Sequence, residues 1–184
     1  RMGGITKQLK SFARKNTEGF VPLNFNDAFL SAMAIMEPQL KQSKVKIKTS
    51  VSIEPIIIMG DQQRLEHVMI NLFCNALDAI ATVEQPEIKL SLYKDESAIF
   101  SIADNGNGIS NLETLFEPFQ TTKDSGKGLG LGLAISSNII SELGGMLQGK
   151  NLSSKGAEFK IILPLFDPSR ITIEEDLKPR KGSE

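Results

Sequence analysis

The sequence predicts an α/β protein in which three amphipathic helices are interleaved with short strands. Helices are expected near residues 26–42, 62–81 and 131–143, where apolar side chains recur at steps of three and four residues. Alternating or short apolar runs predict strands at residues 20–23, 45–51, 55–59, 87–93, 98–103, 146–151 and 157–163. Interleaved helices and strands of this kind indicate one folded unit in which helices cover a sheet.

Prolines and capping residues mark where these elements begin and end. The first helix is expected to be capped at Asn26-Asp27 and interrupted at Pro38, because proline lacks the N–H that a helix interior needs. The second helix is expected to start after Asp61, a good N-cap, and the third to end at Gly144-Gly145, a common C-cap. Pro164 is expected to end the domain.

Both ends of the chain are predicted to lie outside the main domain. Residues 1–15 have a helical pattern with a narrow apolar stripe, and the segment is too short to be stable alone. The stripe fits either the end of a longer helix or an N-terminal helix packed on its own domain. Residues 16–166 then form the main domain, and residues 167–184 form a polar tail that packs, if at all, through its isoleucines. Because the chain begins with Arg1, it is expected to be a piece of a longer protein.

Composition excludes several classes of function. The 184-residue chain is 40% apolar and 23% charged, which is ordinary for a soluble globular protein. Its net charge of −1 and its lack of a basic block give no electrostatic footprint for nucleic acid. Its single cysteine, Cys74, and single histidine, His67, exclude an internal disulfide and a zinc site of Cys/His type. No apolar run reaches the roughly 18 residues of a membrane span, and no signal peptide is present.

Two common nucleotide-binding motifs are missing. No G-x-G-x-x-G pattern occurs anywhere in the chain. Residues 144–150 fit G-x-x-x-x-G-K, but Asn151 stands where that motif has Ser or Thr. A helix also precedes these residues where the motif needs a strand, so we treat the match as chance.

The glycine-rich stretch Gly126–Gly132 is the strongest local signal for a ligand. Its four glycines alternate with Lys127, Leu129 and Leu131 just before the third predicted helix. Glycine N–H groups can approach an anion closely, and a helix N-terminus has unpaired donors and a positive dipole end. The stretch therefore predicts a phosphate site. A flexible linker is the alternative, although linkers rarely interleave leucines so regularly.

The second predicted helix carries a row of polar residues, Asn71, Asn75 and Asp78, at spacings of four and three. Asn and Asp are poor residues for a helix interior because their side chains compete for backbone hydrogen bonds. The row is therefore either a solvated face or a line of side chains that faces a ligand.

Two further segments fit a binding loop. The segment 104–109 follows a predicted strand directly; taken alone, its Asn-Gly pair would also fit a hairpin turn. A long polar loop follows it, rather than a returning strand. Within that loop Phe116 and Phe119 flank a proline, which suggests a lid that docks through both rings.

In order and spacing, these segments resemble the N, G1, F and G2 boxes of bacterial sensor histidine kinases. These kinases share an ATPase superfamily with Hsp90, DNA gyrase and MutL. The four boxes cover residues 64–135, and residues 156–159 resemble the last glycine box, with Ala157 where Thr is common. Residues 1–14 resemble the end of the dimerisation helices, most closely those of the C4-dicarboxylate sensor type.

The resemblance implies a Bergerat-type fold and a nucleotide site. The fold is an α/β (α+β) two-layer sandwich with a mixed, mostly antiparallel sheet and helices on one face. The site would bind ATP or ADP with Mg²⁺ through Asn71, Asn75, Asp78, Asp104, Gly106, Gly108, Phe116, Thr122, Lys123, Gly128, Leu129, Gly130, Leu131 and Gly132.

The resemblance implies separate sets of residues for the metal ion, the adenine base and the phosphates. Asn75 would be the Mg²⁺ ligand through its amide oxygen, and Asn71, one turn earlier, would contact phosphate or a metal-bound water. Asp104 would accept a hydrogen bond from the adenine amine, while nearby glycines let backbone and water reach the base. Lys123 and Lys127 would neutralise phosphate charge. The expected catalytic residues are thus Asn71, Asn75 and Lys127.

The resemblance also implies the reaction. Relatives that hydrolyse ATP place a general-base Glu four residues before the metal-binding Asn, whereas this chain has Asn71 there. The γ-phosphoryl group would therefore pass to a histidine of a dimerisation domain that is absent from this chain. His67 is a poor acceptor; it either helps to position phosphate or water or has a structural role. The chain alone is expected to bind ATP–Mg²⁺ without phosphorylating itself.

Partners and location follow from the same resemblance. The implied partners are the dimerisation domain within a full-length homodimer and the receiver domain of a response regulator. The chain would be a cytoplasmic domain of an inner-membrane sensor. One alternative is a non-catalytic nucleotide-binding or regulatory module. Another is a chaperone- or topoisomerase-like ATPase, which Asn71 and the short length disfavour.

Overall fold

The computed structural model describes residues 20–119 and 130–168. Over these residues the chain forms seven strands and three α-helices. The strands are β1 (Val21–Asn24), β2 (Lys46–Val51), β3 (Ile57–Gly60), β4 (Glu87–Lys94), β5 (Ser97–Asp104), β6 (Met146–Asn151) and β7 (Ala157–Pro164). The helices are α1 (Phe25–Gln42), α2 (Gln62–Ala79) and α3 (Gly132–Glu142). The helix predicted at residues 1–15 and nearly all of the predicted tail lie outside the described residues.

Five strands form the main sheet, in the order β2-β4-β5-β7-β6. Only β2 and β4 run parallel, and the other neighbours are antiparallel, so the mixed, mostly antiparallel sheet is confirmed. Strands β1 and β3 form a separate antiparallel pair. Within the described residues, no helix combines the length and apolar character that crossing a membrane requires.

One face of the main sheet is apolar and is covered by the helices. Phe100 of β5 lies at the centre of this layer, with its ring centroid 5.7 Å from that of Phe29 in α1 and 6.5 Å from that of Phe73 in α2. The opposite face carries polar side chains, and the hydroxyls of Ser91 and Ser101 share a hydrogen bond of 2.6 Å across it. The predicted two-layer sandwich is therefore confirmed.

The first helix begins one residue earlier than the sequence predicted. Its N-cap is Asn24 rather than Asn26-Asp27, and the Asn24 Oδ1 accepts hydrogen bonds from the N–H groups of Asn26 and Ile56 at 3.3 and 3.1 Å. The side chain of Asn26 instead donates to the carbonyl of Ser52 at 2.8 Å. The capping prediction was wrong because β1 leads directly into α1, so the last strand residue supplies the cap.

Pro38 does not interrupt its helix, and Pro164 is the last residue of β7 without being the last paired residue. Pro38 is inside α1, which continues to Gln42. The carbonyl that loses its partner belongs to exposed Ala34, where water can replace the missing N–H, while buried Leu40 holds the last turn. Pairing also continues past Pro164, because Leu165 bridges Ile58 and the next residue donates to β3. The predicted interruption at Pro38 was therefore wrong, and pairing continues for two residues beyond Pro164, which stays within the predicted domain of residues 16–166.

Candidate functional site

Helix α2 presents an apolar face to the core and a polar margin beside it. The Oδ1 of Asp61 accepts a hydrogen bond from the N–H of Arg64 at 3.1 Å, which confirms the predicted N-cap. The buried face comprises Leu65, Val68, Met69, Leu72, Phe73 and Ala76. Asn71 and Asn75 are half-buried at the margin of this face, and Asp78 is exposed. The polar row therefore runs along the edge of the helix layer rather than across open solvent.

Two glycines pack closely against the polar edge of α2, Gly132 near Asn71 and Gly106 near Ala79. A Cβ on Gly106 would lie 2.4 Å from the carbonyl oxygen of Ala79, and a Cβ on Gly132 would lie 2.4 Å from the Oδ1 of Asn71. Asn71 and Ala79 are eight residues apart, which corresponds to about 12 Å along a helix. Asn75 lies midway between them. The loop after β5 and the start of α3 thus bracket one polar strip of α2.

Asp104 is the buried carboxylate at one end of this strip, with 5% of its surface exposed. Its Oδ1 accepts hydrogen bonds from the N–H groups of Gly106 at 2.8 Å and Ala157 at 3.4 Å. Both bonds fall on Oδ1, which leaves Oδ2 for a further donor. Burial raises the pKa of Asp104, and the hydrogen bonds from the two backbone N–H groups act against that rise.

The loop that carries Asp104 is held by its neighbours. Gly156 has φ +94°, and a Cβ there would lie 1.9 Å from the Asp104 carbonyl oxygen, so only glycine fits this turn. Asn105 closes the other side, because its Oδ1 accepts from the N–H of Glu87 at 2.9 Å and its Nδ2 donates to the carbonyl of Gln85 at 2.8 Å. The carboxylate is therefore fixed before any ligand arrives.

The loop beyond Asp104 crosses to β6 rather than forming a hairpin. Gly108 has φ +77°, and the side chain of Asn151 then clamps Ile109 by accepting from its N–H at 2.6 Å and donating to its carbonyl at 2.8 Å. Phe116 packs partly buried against the core, but Phe119 is 72% exposed. The prediction that both rings dock is therefore wrong for Phe119, which also has a positive φ of 66°.

The start of α3 forms the other end of the strip. Gly130 has φ +67°, and the N-cap residue, Leu131, makes no side-chain capping bond to the first N–H groups of α3. The Nδ2 of Asn71 donates to the Oγ of Ser136, one turn into α3, at 3.0 Å. At its other end the helix stops at Gly144-Gly145, as predicted, with N–H bonds back to Ser141 and Ile140.

The structure thus brings most of the predicted residues that it describes into one place. Asn71 contacts Gly132, and Asp104 binds Gly106, with Asn75 between the two ends. Five predicted residues lie outside the described part of the chain: Thr122, Lys123, Lys127, Gly128 and Leu129. Within residues 20–119 and 130–168, no group of three or more His, Cys, Asp or Glu side chains is arranged to hold a metal ion.

Sequence reasoning missed three contributors to the site. Ala157 was expected only as a member of the last glycine box, and its contact with Asp104 is made by the backbone N–H, which every residue type except proline supplies. The sequence marks Asn151 as a strand end and as a departure from the G-x-x-x-x-G-K motif, although a polar residue leaving β6 is also a signal for loop anchoring. Ser136 is a buried serine in the middle of an apolar helix, and that departure from the pattern could have identified it.

A groove of about 410 Å³ lies at the opposite edge of the sheet, between α1 and β2. Its lining residues are Met33, Ala34, Glu37, Leu40, Lys41, Val45 and Ile47. The charged pair in this lining, Glu37 and Lys41, forms an ion pair at 2.5 Å. The groove is otherwise apolar, so the strip along α2 is the better candidate for a polar ligand.

Comparison with known families identifies the fold. A family described as "Histidine kinase-, DNA gyrase B-, and HSP90-like ATPase" matches residues 60–167, which is more than half of the chain. The chain belongs to this ATPase family. The matched region contains both ends of the polar strip, with Asp104 and Gly106 at one end and Asn71 and Gly132 at the other.

Relatives of this ATPase domain include two-component sensors. It is 32% identical over 179 residues to the two-component sensor PprA of Pseudomonas aeruginosa, covering 92% of this chain and 19% of PprA. It is 36% identical over 151 residues to the C4-dicarboxylate transport sensor protein DctB of Rhizobium meliloti, covering 80% of this chain and 24% of DctB. The chain therefore spans a quarter or less of the length of these two relatives.

Solved structures of the histidine kinase ThkA have a similar fold. Its nucleotide-free catalytic domain has a TM-score of 0.69 at 28% identity, covering 79% of this chain and 95% of that domain. ThkA in complex with the response regulator protein TrrA has a TM-score of 0.71 at 25% identity, covering 88% of this chain and 46% of that one. The ATPase domain thus corresponds to nearly the whole of a kinase catalytic domain.

Replacing Gly106 by alanine is expected to lower the free energy of unfolding. The new Cβ would lie 2.4 Å from the Ala79 carbonyl oxygen, and overpacking of this kind costs about 1–3 kcal/mol. Gly60→Ala is the control, because a Cβ there meets its nearest atom, in Leu65, at an ordinary 3.4 Å. Urea unfolding of both variants measures the difference; equal stabilities would contradict the close approach of the Asp104 loop to α2.

Proposed function

We propose that this chain is the ATP-binding catalytic domain of a two-component sensor histidine kinase. The observation that carries the proposal is the bracketed strip of α2, with the buried Asp104 at one end and the start of α3 at the other. An adenine nucleotide would lie along the strip, with its base at Asp104 and its phosphates at Gly132. Family membership and the sensor kinases among the relatives support this assignment.

The adenine end depends on the carboxylate of Asp104. Its Oδ2 would accept a hydrogen bond from the exocyclic amine of adenine, whereas the carbonyl oxygen of guanine at that position would be repelled. Because the backbone N–H groups of Gly106 and Ala157 already hold Oδ1, the acceptor is oriented in advance. Since these two bonds hold the carboxylate in place, Oδ2 would select adenine over guanine without a rearrangement of the loop.

The phosphate end combines backbone donors with amide side chains. The N–H groups at the start of α3, which the side chain of Leu131 does not cap, suit phosphate oxygens, and Asn75 would hold Mg²⁺ through its amide oxygen. When bound, Mg²⁺ would neutralise charge on the phosphates during transfer. Lys123, Lys127 and the glycines before Gly130 would complete this end in the same proposal, together with Thr122.

The proposed reaction transfers the γ-phosphoryl group to histidine. The bond between γ-phosphorus and the bridging oxygen breaks, ADP leaves with that oxygen, and a bond forms between phosphorus and a ring nitrogen of the acceptor histidine. Asn71 stands where hydrolysing relatives have a general-base Glu, and an amide cannot take a proton from water. Between water and a nucleophile that needs no general base, the chain would therefore favour the second.

The acceptor and the downstream partner would come from other domains. We propose a dimerisation domain of the same protein as the phosphoryl acceptor, acting within a homodimer, and the receiver domain of a response regulator as the next partner. The similarity to ThkA, which has been solved together with its response regulator TrrA, supports the second partner. We also propose that the chain is a cytoplasmic domain of an inner-membrane sensor.

Phosphotransfer with labelled ATP tests the proposal. The chain alone should bind ATP–Mg²⁺ and acquire no stable phosphate, whereas adding the dimerisation domain of the same protein should give an acid-labile phosphohistidine on that domain. Acid-labile label on the isolated chain would contradict the proposed acceptor. Nucleotide binding without transfer to the added domain would instead favour a non-catalytic, nucleotide-sensing module.

A further inference from the structure

We propose that residues 171–177 of the C-terminal tail add to the outer edge of β2 as an antiparallel strand, and that their apolar side chains cover the groove between α1 and β2. The inference does not rest on the proposed function, because neither the groove nor the tail belongs to the polar strip of α2. It assigns an occupant to a groove and a segment that the nucleotide site does not use.

Strand β2 lies at the edge of the main sheet, with β4 on one side. The N–H of Lys46 donates to the Pro86 carbonyl, next to the start of β4, at 2.9 Å. Backbone groups alternate in direction along a strand, so every second residue of β2 directs its N–H and C=O away from β4. These outward amides belong to Ile47, Thr49 and Val51. Within the described part of the chain no strand pairs with them, and such an open row is a template for an added strand.

The two faces of β2 differ in character. Ile47 lines the groove, and both Ile47 and Val51 are partly buried against the core. Lys46 and Lys48 are exposed on the other face, where Lys48 also forms an ion pair with Glu87 at 2.7 Å. A strand that fits this edge therefore needs apolar side chains towards the groove and acidic side chains towards the lysines.

The chain leaves its last described strand in the direction of this edge. Leu165 forms an antiparallel bridge with Ile58, and the N–H of Phe166 donates to the carbonyl of Ile57 at 2.8 Å. The chain thus runs opposite to β3, back towards the loop that joins β2 to β3. The next five residues can span about 17 Å when extended, which is close to the length of chain from Ile57 back to Val51. The tail can therefore reach the end of β2.

The tail carries apolar residues at the spacing that this edge requires. In residues 171–177 the apolar side chains are separated by two and by four positions, so they share one face of an extended chain. They are Ile171, Ile173 and Leu177. Pro168 and Pro179 flank the segment and no proline lies within it, as the interior of a paired strand requires.

One register satisfies both faces of β2. With Ile171 opposite Val51, the three apolar side chains of the tail face the groove, and Asp176 lies opposite Lys46 on the other face. Opposite charges across an antiparallel pair stabilise it, whereas a slip of one residue would turn the isoleucines away from the groove. Glu175 is the acidic residue on the groove side, where the lining already contains an ion pair.

Amide hydrogen exchange of the full chain, followed by NMR, tests the added strand. In the wild type the outward amides of β2 should exchange at least about tenfold more slowly than in Ile173→Glu, because that substitution directs a charge into the apolar groove. Thr172→Glu is the matched control, since it adds the same side chain on the opposite face and should keep the protection. The amide of Lys46, which is bonded on the β4 side, should exchange equally in all three chains.

A charge exchange tests the register. Asp176→Lys places two lysines opposite each other and should lower the protection of the outward amides about two- to fivefold. Combining it with Lys46→Glu restores opposite charges and should recover the protection. Recovery would not follow if the tail acted only as a general source of negative charge.

Several results would overturn the inference. Outward amides that are unprotected in the wild type, or that exchange equally in Ile173→Glu and Thr172→Glu, would exclude the tail as the occupant. Protection that rises with protein concentration would assign the edge to a second copy of the chain. Each of these results leaves the proposed function intact, because none of them measures nucleotide binding.

Discussion

Replacement of Asp104 by asparagine is expected to lower the affinity for ATP about 10- to 100-fold, the range for losing a hydrogen bond to a charged group. The asparagine oxygen can still accept the hydrogen bonds from Gly106 and Ala157. Its NH₂ then faces the adenine amine, and because both groups are donors, no hydrogen bond forms between them. The preference for ATP over GTP should fall as well, because that NH₂ can donate to the guanine oxygen. Calorimetric titration with both nucleotides measures the two effects.

The same substitution is not expected to lower stability at neutral pH. Burial raises the folded-state pKa of Asp104 above its ordinary value of 3.8. A raised pKa means that the contribution of this group to stability is present below the unfolded-state value and is lost as pH rises through the folded-state value. At neutral pH the buried charge therefore costs free energy, and the neutral asparagine removes that cost. The substitution should therefore lower nucleotide affinity without lowering the free energy of unfolding.

The raised pKa also predicts how binding depends on pH. Protonation of Asp104 removes the acceptor for adenine, so nucleotide affinity should fall as pH drops through the raised pKa, at a higher pH than that at which an exposed Asp would be protonated.

Asp95→Asn is the control for the Asp104→Asn substitution, since Asp95 lies exposed in the turn between β4 and β5. Unchanged ATP affinity in Asp104→Asn, or equal losses in the two variants, would contradict the assignment of Asp104 to the base.

Replacement of Asn75 by alanine is expected to reduce phosphotransfer about 100-fold or more, because removing one preorganised electrostatic group typically costs about 10²–10³ in rate. Binding of ADP without Mg²⁺ should change little, since the base contact at Asp104 is untouched. Alanine is also a better residue for the middle of α2, so the variant should remain folded. Transfer to the added dimerisation domain and ADP titration with and without Mg²⁺ measure these effects.

A substitution elsewhere on α2 provides the comparison for Asn75. Gln63 is exposed in the first turn of the same helix, outside the strip. Gln63→Ala should transfer phosphate at the wild-type rate. If Asn75→Ala lost ADP binding equally with and without Mg²⁺, its role would be in the fold or in base binding. A metal role for Asn75 would then be wrong.

Periodicity in the sequence predicted most of the fold because burial imposes it. The apolar residues of α2 recur at helical steps, since one side of the helix packs on the sheet, and the structure buries Leu65, Val68, Leu72 and Phe73 as expected. The resemblance added the direction of the strands, which periodicity does not encode. Asp104 could be singled out because a carboxylate followed by two spaced glycines is unusual at the end of an apolar strand.

Details decided by tertiary contacts could not be predicted in the same way. The cap at Asn24 depends on Ile56, which is distant in sequence, and the tolerance of Pro38 depends on which carbonyl faces water. Bonds from backbone N–H groups, such as Ala157 to Asp104, have no side-chain signature at all. The pairing of Asn71 with Ser136 joins residues 65 positions apart, so it emerges only when α2 and α3 pack.

The most direct test of the proposed nucleotide site is a backbone NMR titration of the folded chain with ADP and Mg²⁺. The largest amide shift changes should occur at Gly106 and Ala157 around Asp104, and at Gly132 at the start of α3. Amides of Ser91 and Ser101 on the helix-free face should stay unchanged. Shift changes concentrated in the groove between α1 and β2, or no changes at saturating nucleotide, would contradict the account.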